Sequence, residues 1–295
     1  MTTNSDPLPS LRSILVPTDF SVYSARALDH ALEIASGYDA QIQLFHCIDP
    51  TPYNLGAPDA VQMACDAAWR DLRQLDSDLR GRGLAKNIEI ELLVEAGDLA
   101  TILPQITLDL AVGLIVVGTH GRTGWRKAML GSVAEIVVCQ APCPVLTVGP
   151  SDQGERSKRF GPKNILLAND LHARSKVAEL YAFSLASRWE SRLTVLHVLE
   201  GRSEGVRARA TQVECCGHGS SDILVLEKEV TNPAALSAET GARSDIILRV
   251  AEENSADLIV LPVFDAYRFS DRFLSTYGYQ VLCGSHCPVL TVWDE

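Results

Sequence analysis

The chain states one pattern twice. Asn164-Ile-Leu-Leu-Ala-Asn-Asp170 restates Ser13-Ile-Leu-Val-Pro-Thr-Asp19, and Leu193-Thr-Val-Leu-His-Val198 restates Ile42-Gln-Leu-Phe-His-Cys47. Farther along, Ala256-Asp-Leu-Ile-Val-Leu-Pro262 matches Val112-Gly-Leu-Ile-Val-Val-Gly118, and Cys287-Pro-Val-Leu-Thr-Val292 matches Cys143-Pro-Val-Leu-Thr-Val148. A repeat of this length means two copies of one folding unit. The offset is 151 residues at the first matches and 144 at the last, so the second copy has lost about seven residues between Glu200 and Gly241. Between the copies lies a polar stretch with three glycines and two prolines, Gly149 to Pro162. The expected division is a first domain over 1–149, a linker over 150–162 and a second domain over 163–295.

Within each copy, short β-branched runs alternate with segments of helical periodicity. In the first, strands are expected at Ser13–Val16, Ile42–Ile48, near Ile88–Val94, at Leu114–Val117 and at Val145–Val148. Between them, a helix capped by Ser21 or Ser24 carries Ala27, Leu28, Ala31, Leu32, Ile34 and Ala35 on one face until Gly37 stops it. Further helices are expected from about Pro58 to Leu79, from Leu99 to Leu110, and from Ser132 onward. Strands that alternate with helices imply right-handed crossovers and a doubly wound parallel sheet.

The strand Leu114-Ile-Val-Val117 is uninterrupted and apolar, which suits burial on both faces, and it ends at Gly118-Thr119-His120-Gly121. After nine intervening residues comes Gly131-Ser132. Glycines here give the backbone access to positive φ and let amides approach an anion. Ser132, followed three residues on by Glu135 and an apolar run, reads as a capping-box helix start, and a helix N-terminus is a natural phosphate site. The first strand is not followed by Gly-x-Gly-x-x-Gly, the dinucleotide fingerprint.

The spacing Gly-x-x-Gly-x9-Gly-Ser resembles the ATP-binding signature of the universal stress protein family. So do Gly118 to Gly124, Leu130 to Glu135 and Ala141 to Val148 around it. The resemblance covers nearly the whole chain and implies two tandem Rossmann-like, adenine nucleotide alpha hydrolase-like domains. Each would hold a five-stranded parallel sheet of order 3-2-1-4-5, with its ligand in the switch-point crevice between the first and fourth strands. It also implies a site. The backbone around Thr18, from Pro17, together with Asp19 and Cys47, would hold adenine and ribose. Gly118, Thr119, His120, Gly121 and Arg122 would follow the ribose and α-phosphate, and Gly131, Ser132 and Val133 would take the outer phosphates with Mg²⁺. The last strands, Val145–Val148 and Val289–Val292, would pair the two domains as an intramolecular pseudo-dimer, with a homodimer of the whole chain as a further partner.

At the cradle the second copy departs from the first. Gly118 becomes Pro262, which has no N–H and a fixed φ. Gly121 becomes Asp265, a carboxylate where phosphate would lie, and Gly131-Ser132 becomes Ser275-Thr276. One ATP per chain is therefore expected, in the first domain.

Several residues have a plainer role open to them. Asp19 can serve as a helix cap, His46 and His197 as satisfied core histidines, and Arg122, Arg126 and Lys127 as a solvated loop. Cys139-x3-Cys143 and Cys283-x3-Cys287 read as buried thiols, and Cys215-Cys216-Gly-His218 is half a zinc spacing with no second half. A net charge of −11 argues against nucleic-acid and anionic-membrane partners. The N-terminus lacks the apolar core of a secretory signal, and no apolar run approaches a membrane span, so a cytoplasmic chain with eight reduced cysteines is expected.

Three function classes remain. The first is a nucleotide-binding regulatory or stress-adaptation module without dedicated chemistry. The second is an adenylating or weakly ATP-hydrolysing enzyme, although neither an SGGxDS-type loop nor a HIGH-type motif is present. The third is an interaction scaffold that binds no nucleotide, which the intact glycines of the first domain disfavour.

Overall fold

The computed structural model describes residues 11–51, 59–120, 130–149, 161–169, 176–200, 207–210, 223–230, 239–264 and 276–294. The first half runs β1 (Ser13–Pro17), α1 (Val22–Tyr38), β2 (Gln41–Ile48), α2 (Ala60–Gly81), β3 (Ile90–Ala96), α3 (Leu99–Asp109), β4 (Leu114–Gly118), α4 (Ser132–Gln140) and β5 (Val145–Val148). The second runs β6 (Asn164–Asn169), α5 (Lys176–Trp189), β7 (Arg192–Glu200), β8 (Arg207–Ala210), β9 (Ile223–Val230), α6 (Glu239–Glu253), β10 (Leu258–Phe264), α7 (Tyr277–Gly284) and β11 (Val289–Asp294).

The described strands form one sheet in the order β3-β2-β1-β4-β5-β11-β10-β6-β7-β9-β8. The first five are parallel in the order 3-2-1-4-5. The second half repeats that order as β9-β7-β6-β10-β11, with one correction to the five-stranded expectation: β8 lies antiparallel on the outer edge of β9. It falls between β7 and β9, where the first half places helix α2 between β2 and β3. The sequence Arg207-Ala-Arg-Ala210 has the period of a strand, and a short charged strand is a common guard for a sheet edge.

The two halves meet through β5 and β11, which pair antiparallel with Leu146 opposite Leu290. Two buried threonines reciprocate across this seam. Thr147 Oγ1 donates to Val289 O at 3.1 Å, and Thr291 Oγ1 donates to Val145 O at 3.2 Å. Each face of the sheet carries one apolar core to which both halves contribute. One joins Val16, Leu28 and Val148 to Tyr181, Leu185 and Leu290; the other joins Ile115, Val138 and Leu130 to Val250, Leu282 and Val289. On the first face the ends of α1 and α5 touch: the Tyr38 and Trp189 rings lie 5.6 Å apart, and the Arg188 guanidinium sits 4.8 Å from the Tyr38 ring centre.

Helix ends correct the sequence reading in one respect. Gly37 does not stop α1; it lies inside it, where a Cβ would sit 3.6 Å from Trp189. The stop is Asp39 in the left-handed region (φ 54°), with the Ala40 N–H closing back on Ala35 O at 3.0 Å. Glu190 does the same for α5, and Ala111 and Ser255 take left-handed φ just after α3 and α6. These pairs fall at the two sequence offsets, so the repeat is visible in the backbone as well.

Candidate functional site

The crevice can be read from where strand pairing ends. β1 and β4 are in register for two residue pairs, Ile14 with Leu114 and Leu15 with Ile115. Their outer partners continue farther: β1 follows β2 to Pro17 opposite Phe45, and β4 follows β5 to Gly118 opposite Val148. Beyond Leu15 and Ile115 the sheet is therefore split, with Pro17 and Gly118 on its two lips. Along β4, the amides of Ile115 and Thr119 donate to Pro144 and Val148, on the β5 side. The amides of a parallel strand alternate sides, so the Gly118 N–H faces the split. On the other lip, Thr18 N–H donates to Phe45 O, which turns Pro17 toward the split. Having no N–H, Pro17 leaves no donor stranded there.

The lip after β1 is tightly tied. Thr18 is buried; its hydroxyl donates to Ser24 Oγ at 3.1 Å and receives Phe20 N–H at 3.1 Å, while its carbonyl lies 2.7 Å from His46 Nδ1. Both Thr18 backbone groups are thus engaged within the protein, and Thr18 fixes the strand end. Asp19 is not the helix cap. Ser21 is, accepting from Ser24 N–H, while an Asp19 carboxylate oxygen accepts the Ser21 N–H at 3.0 Å. Phe20 takes a left-handed φ of 60°, a strained conformation for a bulky residue, and its ring packs 4.9 Å from that of His46. His46 is the satisfied core histidine the sequence suggests. His197, at the matching strand position, is not: its Nδ1 is buried without a partner among the described residues. Cys47 sits half-buried at the end of β2, its sulfur 3.6 Å from Gly97 O. Burial, with the nearby charges of Asp49, Asp98 and Glu95, pushes its thiol up to about 11.

Beyond β4, Thr119 is the clamp. Its N–H donates to Val148 O, its hydroxyl lies 2.9 Å from His120 Nδ1, and its carbonyl accepts Gly131 N–H at 2.7 Å. The two halves of the cradle motif are thereby brought together across residues 121–129 of the sequence. Gly121 and Arg122 fall in residues 121–129, outside the described residues, as do Gly124, Arg126 and Lys127.

Three details depart from the sequence reading. First, neither Gly118 nor Gly131 uses positive φ. Gly131 has φ −66° and ψ 151°, open to any residue, and what Gly118 needs is space, because a Cβ there would meet Tyr23 O at 2.8 Å. Second, no capping box forms: Gly131 is the N-cap of α4 with no side-chain cap bond, and its carbonyl takes the Glu135 N–H. Third, the Gly131 amide is consumed by Thr119. The amides at the start of α4 that no intrahelical bond can use are those of Ser132, Val133 and Ala134, and they carry the positive end of the helix dipole. One neighbour is not signalled by any spacing: the Tyr23 ring packs 5.6 Å from that of His120.

In the second half the equivalent split lies above Val260 and Leu167, flanked by longer pairings of β6 with β7 and of β10 with β11. The Ile259 amide donates to Pro288 O, as Ile115 does to Pro144 O, so position 262 aims its nitrogen at the split. That nitrogen is proline's. Thr276 caps α7 through its own side chain, accepting Tyr279 N–H at 3.3 Å. Asp265 and Ser275 lie outside the described residues, as do Cys215, Cys216 and His218. Cys139, Cys143 and Cys283 pack against the second core, and Cys287 is buried in it. Among the described residues no three His, Cys, Asp or Glu side chains gather as a metal site, and no helix is long and apolar enough to cross a membrane.

This geometry can be set beside known proteins. The model of the universal stress protein family matches residues 10–149 and again residues 161–292. A universal stress protein from Methanocaldococcus jannaschii is 30% identical over 145 residues, covering 46% of this chain and 81% of the relative. One from Mycolicibacterium smegmatis is 29% identical over 192 residues, 63% of each chain. In three dimensions, the crystal structure of a universal stress protein from Archaeoglobus fulgidus covers 97% of this chain and 98% of its own, with a TM-score of 0.72 at 18% identity, a likeness of fold. With both halves matched by the same family model, the chain belongs to the universal stress protein family and carries two of its domains in tandem.

Proposed function

We propose that this protein is a nucleotide-responsive regulatory module of stress adaptation that binds one ATP per chain, in the crevice of its first domain. The observation that carries this reading is the convergence at one split in the sheet. The Gly118 amide on one lip and the amides of Ser132, Val133 and Ala134 at the start of α4, which no intrahelical bond uses, are drawn together by the bond between Thr119 and Gly131. Several amides and a helix dipole at one point form an anion site. Asp19 and Cys47, at the ends of β1 and β2, stand where base and ribose would lie. Ser132, whose hydroxyl makes no cap, is the side chain that would reach a phosphate-bound Mg²⁺; that ion commonly keeps several waters and one or two protein ligands. The Mg²⁺ would neutralise phosphate charge in a protein whose net charge is −11.

The second domain, from about residue 163, acts in this reading as the structural partner of the first. The pairing of β5 with β11 supports an intramolecular pseudo-dimer. Its own crevice presents the Pro262 nitrogen where Gly118 offers an N–H, with Asp265 at the position of Gly121 in the sequence. Each lost or opposed phosphate contact costs about 1–3 kcal/mol, or about one to two powers of ten in affinity. The test is titration of nucleotide-free protein with ATP and Mg²⁺, alongside native mass spectrometry of the gently purified chain. Saturation at one ATP per chain is expected; saturation at two overturns the one-site reading, and absence of binding overturns the ATP reading altogether.

A further inference from the structure

The lip that β4 supplies to the crevice is braced from the β1 side by a residue that belongs to neither strand. Tyr23 lies in the first turn of α1, the helix that follows β1, and its backbone closes on Gly118, where a Cβ would meet Tyr23 O at 2.8 Å. Its half-buried ring packs 5.6 Å from the ring of His120, tilted by 42°. The Tyr23 ring is held in turn, because the Arg26 guanidinium, three residues along α1, lies 5.9 Å from its centre.

His120 is thus fixed at two points. Its Nδ1 lies 2.9 Å from Thr119 Oγ1, whose hydroxyl also reaches Val148 O at 3.3 Å, and its ring rests against Tyr23. An imidazole tied at one nitrogen and packed along its ring keeps one orientation, so its other nitrogen keeps one direction. The place of that ring gives the orientation a consequence. His120 follows directly on Thr119, whose carbonyl takes the Gly131 N–H, so it stands between the Gly118 lip and the start of α4. A phosphate held by the amides of Gly118, Ser132 and Val133 would lie beside it. At the base-and-ribose end, Asp19 is tied to the Ser21 N–H and Cys47 to Gly97 O, bonds that a change in the Tyr23 ring leaves in place.

We propose that Tyr23 is a positioning residue for the phosphate side of the first-domain site, holding the His120 imidazole at the edge of the crevice through ring packing. The inference rests on the ATP reading above. It adds to the site a residue that lies outside the Gly-x-x-Gly-x9-Gly-Ser spacing and on a different element. The role belongs to the ring and not to the hydroxyl, so phenylalanine can fill it and an aliphatic side chain cannot.

The test compares ATP with adenosine in full-length, nucleotide-free protein, using Tyr23→Phe and Tyr23→Leu. When the nucleotide must order a ring that the protein no longer holds, the lost aromatic packing is worth about two- to tenfold in affinity. Tyr23→Leu is therefore expected to weaken ATP binding by that factor and to leave adenosine affinity unchanged, while Tyr23→Phe keeps both at wild-type values. Proton NMR reads the contact itself: the His120 ring resonances should move in Tyr23→Leu and stay near their wild-type positions in Tyr23→Phe. A general loosening of α1 would lower ATP and adenosine affinity together, and that result overturns the proposal. So does a Tyr23→Phe protein that loses as much ATP affinity as Tyr23→Leu, or a Tyr23→Leu protein whose His120 resonances do not move. If the wild-type protein binds no ATP, the functional reading falls and the proposal falls with it; if wild type binds and Tyr23→Leu matches it, only the proposal falls.

Discussion

Gly118→Ala separates two explanations of the same glycine by the sign of its effect. If Gly118 were present for a ligand alone, alanine would be harmless to the nucleotide-free fold. Its φ lies outside the left-handed region, so the change would stabilise by about 0.4–1 kcal/mol through the unfolded chain. The structure assigns another cause. A Cβ at 118 would stand 2.8 Å from Tyr23 O, 2.9 Å from Tyr23 C and 3.2 Å from Ser24 N. All three are backbone atoms in the first turn of α1, so no rotamer change relieves the contact, and α1 must shift against β4. Overpacking of this kind costs about 1–3 kcal/mol. Set against the chain-entropy gain, a net loss of about 1–2 kcal/mol is expected, lowering the melting temperature by roughly 2–4 °C for a chain of this size. The assay is differential scanning calorimetry, with urea unfolding as a check, on protein stripped of nucleotide, because bound ligand would mask the change. A melting temperature equal to or above wild type would refute the steric account and return Gly118 to the ligand.

Two further perturbations probe the site. Gly131→Val should leave the protein folded, since φ −66° and ψ 151° suit a β-branched residue, while cutting ATP affinity more than about tenfold because its side chain stands beside the amides of Ser132 and Val133; unchanged calorimetric affinity in the folded variant would exclude this turn as the phosphate site. With its thiol raised from 9.0 to about 11, Cys47 has a far smaller thiolate fraction at pH 8, so iodoacetamide should label it about a hundredfold more slowly than an unperturbed thiol, with the rate still climbing through pH 10. Peptide mapping by mass spectrometry reads this, and labelling that levels off near pH 9 would contradict the burial of Cys47.

Much of the fold was legible because parallel strands buried on both faces must be continuous apolar runs. Leu114 to Val117, Val145 to Val148 and their second copies could hardly be anything else. Helix ends were less legible, for a definite reason. Sequence reasoning looks for glycine at a left-handed stop, and here Asp39, Glu190, Ala111 and Ser255 take that conformation instead. Gly37 meanwhile lies inside α1, beside Trp189, a residue more than 150 positions away. The candidate site was proposed from its positions in the sequence, and the contacts among them were not legible there. Gly118, Thr119, Gly131 and Ser132 do converge, but which amide stays open depends on Thr119 O reaching back to Gly131, a contact that no spacing encodes. The added strand β8 lay in the stretch where the repeat breaks, so the first copy offered no template for it.

The two copies have changed unequally, and the inequality follows the structure. Along the seam they keep the same four residues, Val-Leu-Thr-Val, because each threonine hydroxyl serves the other strand's carbonyl and each leucine faces the other. β5 would be a bare apolar edge without β11, and both cores would lose a wall, so the second domain is required whether or not it binds anything. At the cradle, by contrast, the second copy carries proline at 262, within β10. On the helices that follow the two cradles, the matched positions hold Glu135 in the first copy and Tyr279 in the second. The first copy has a carboxylate there, and the second a phenol packed against the shared core. The two copies thus agree where their strands must pair and differ at the positions that form the candidate cradle of the first.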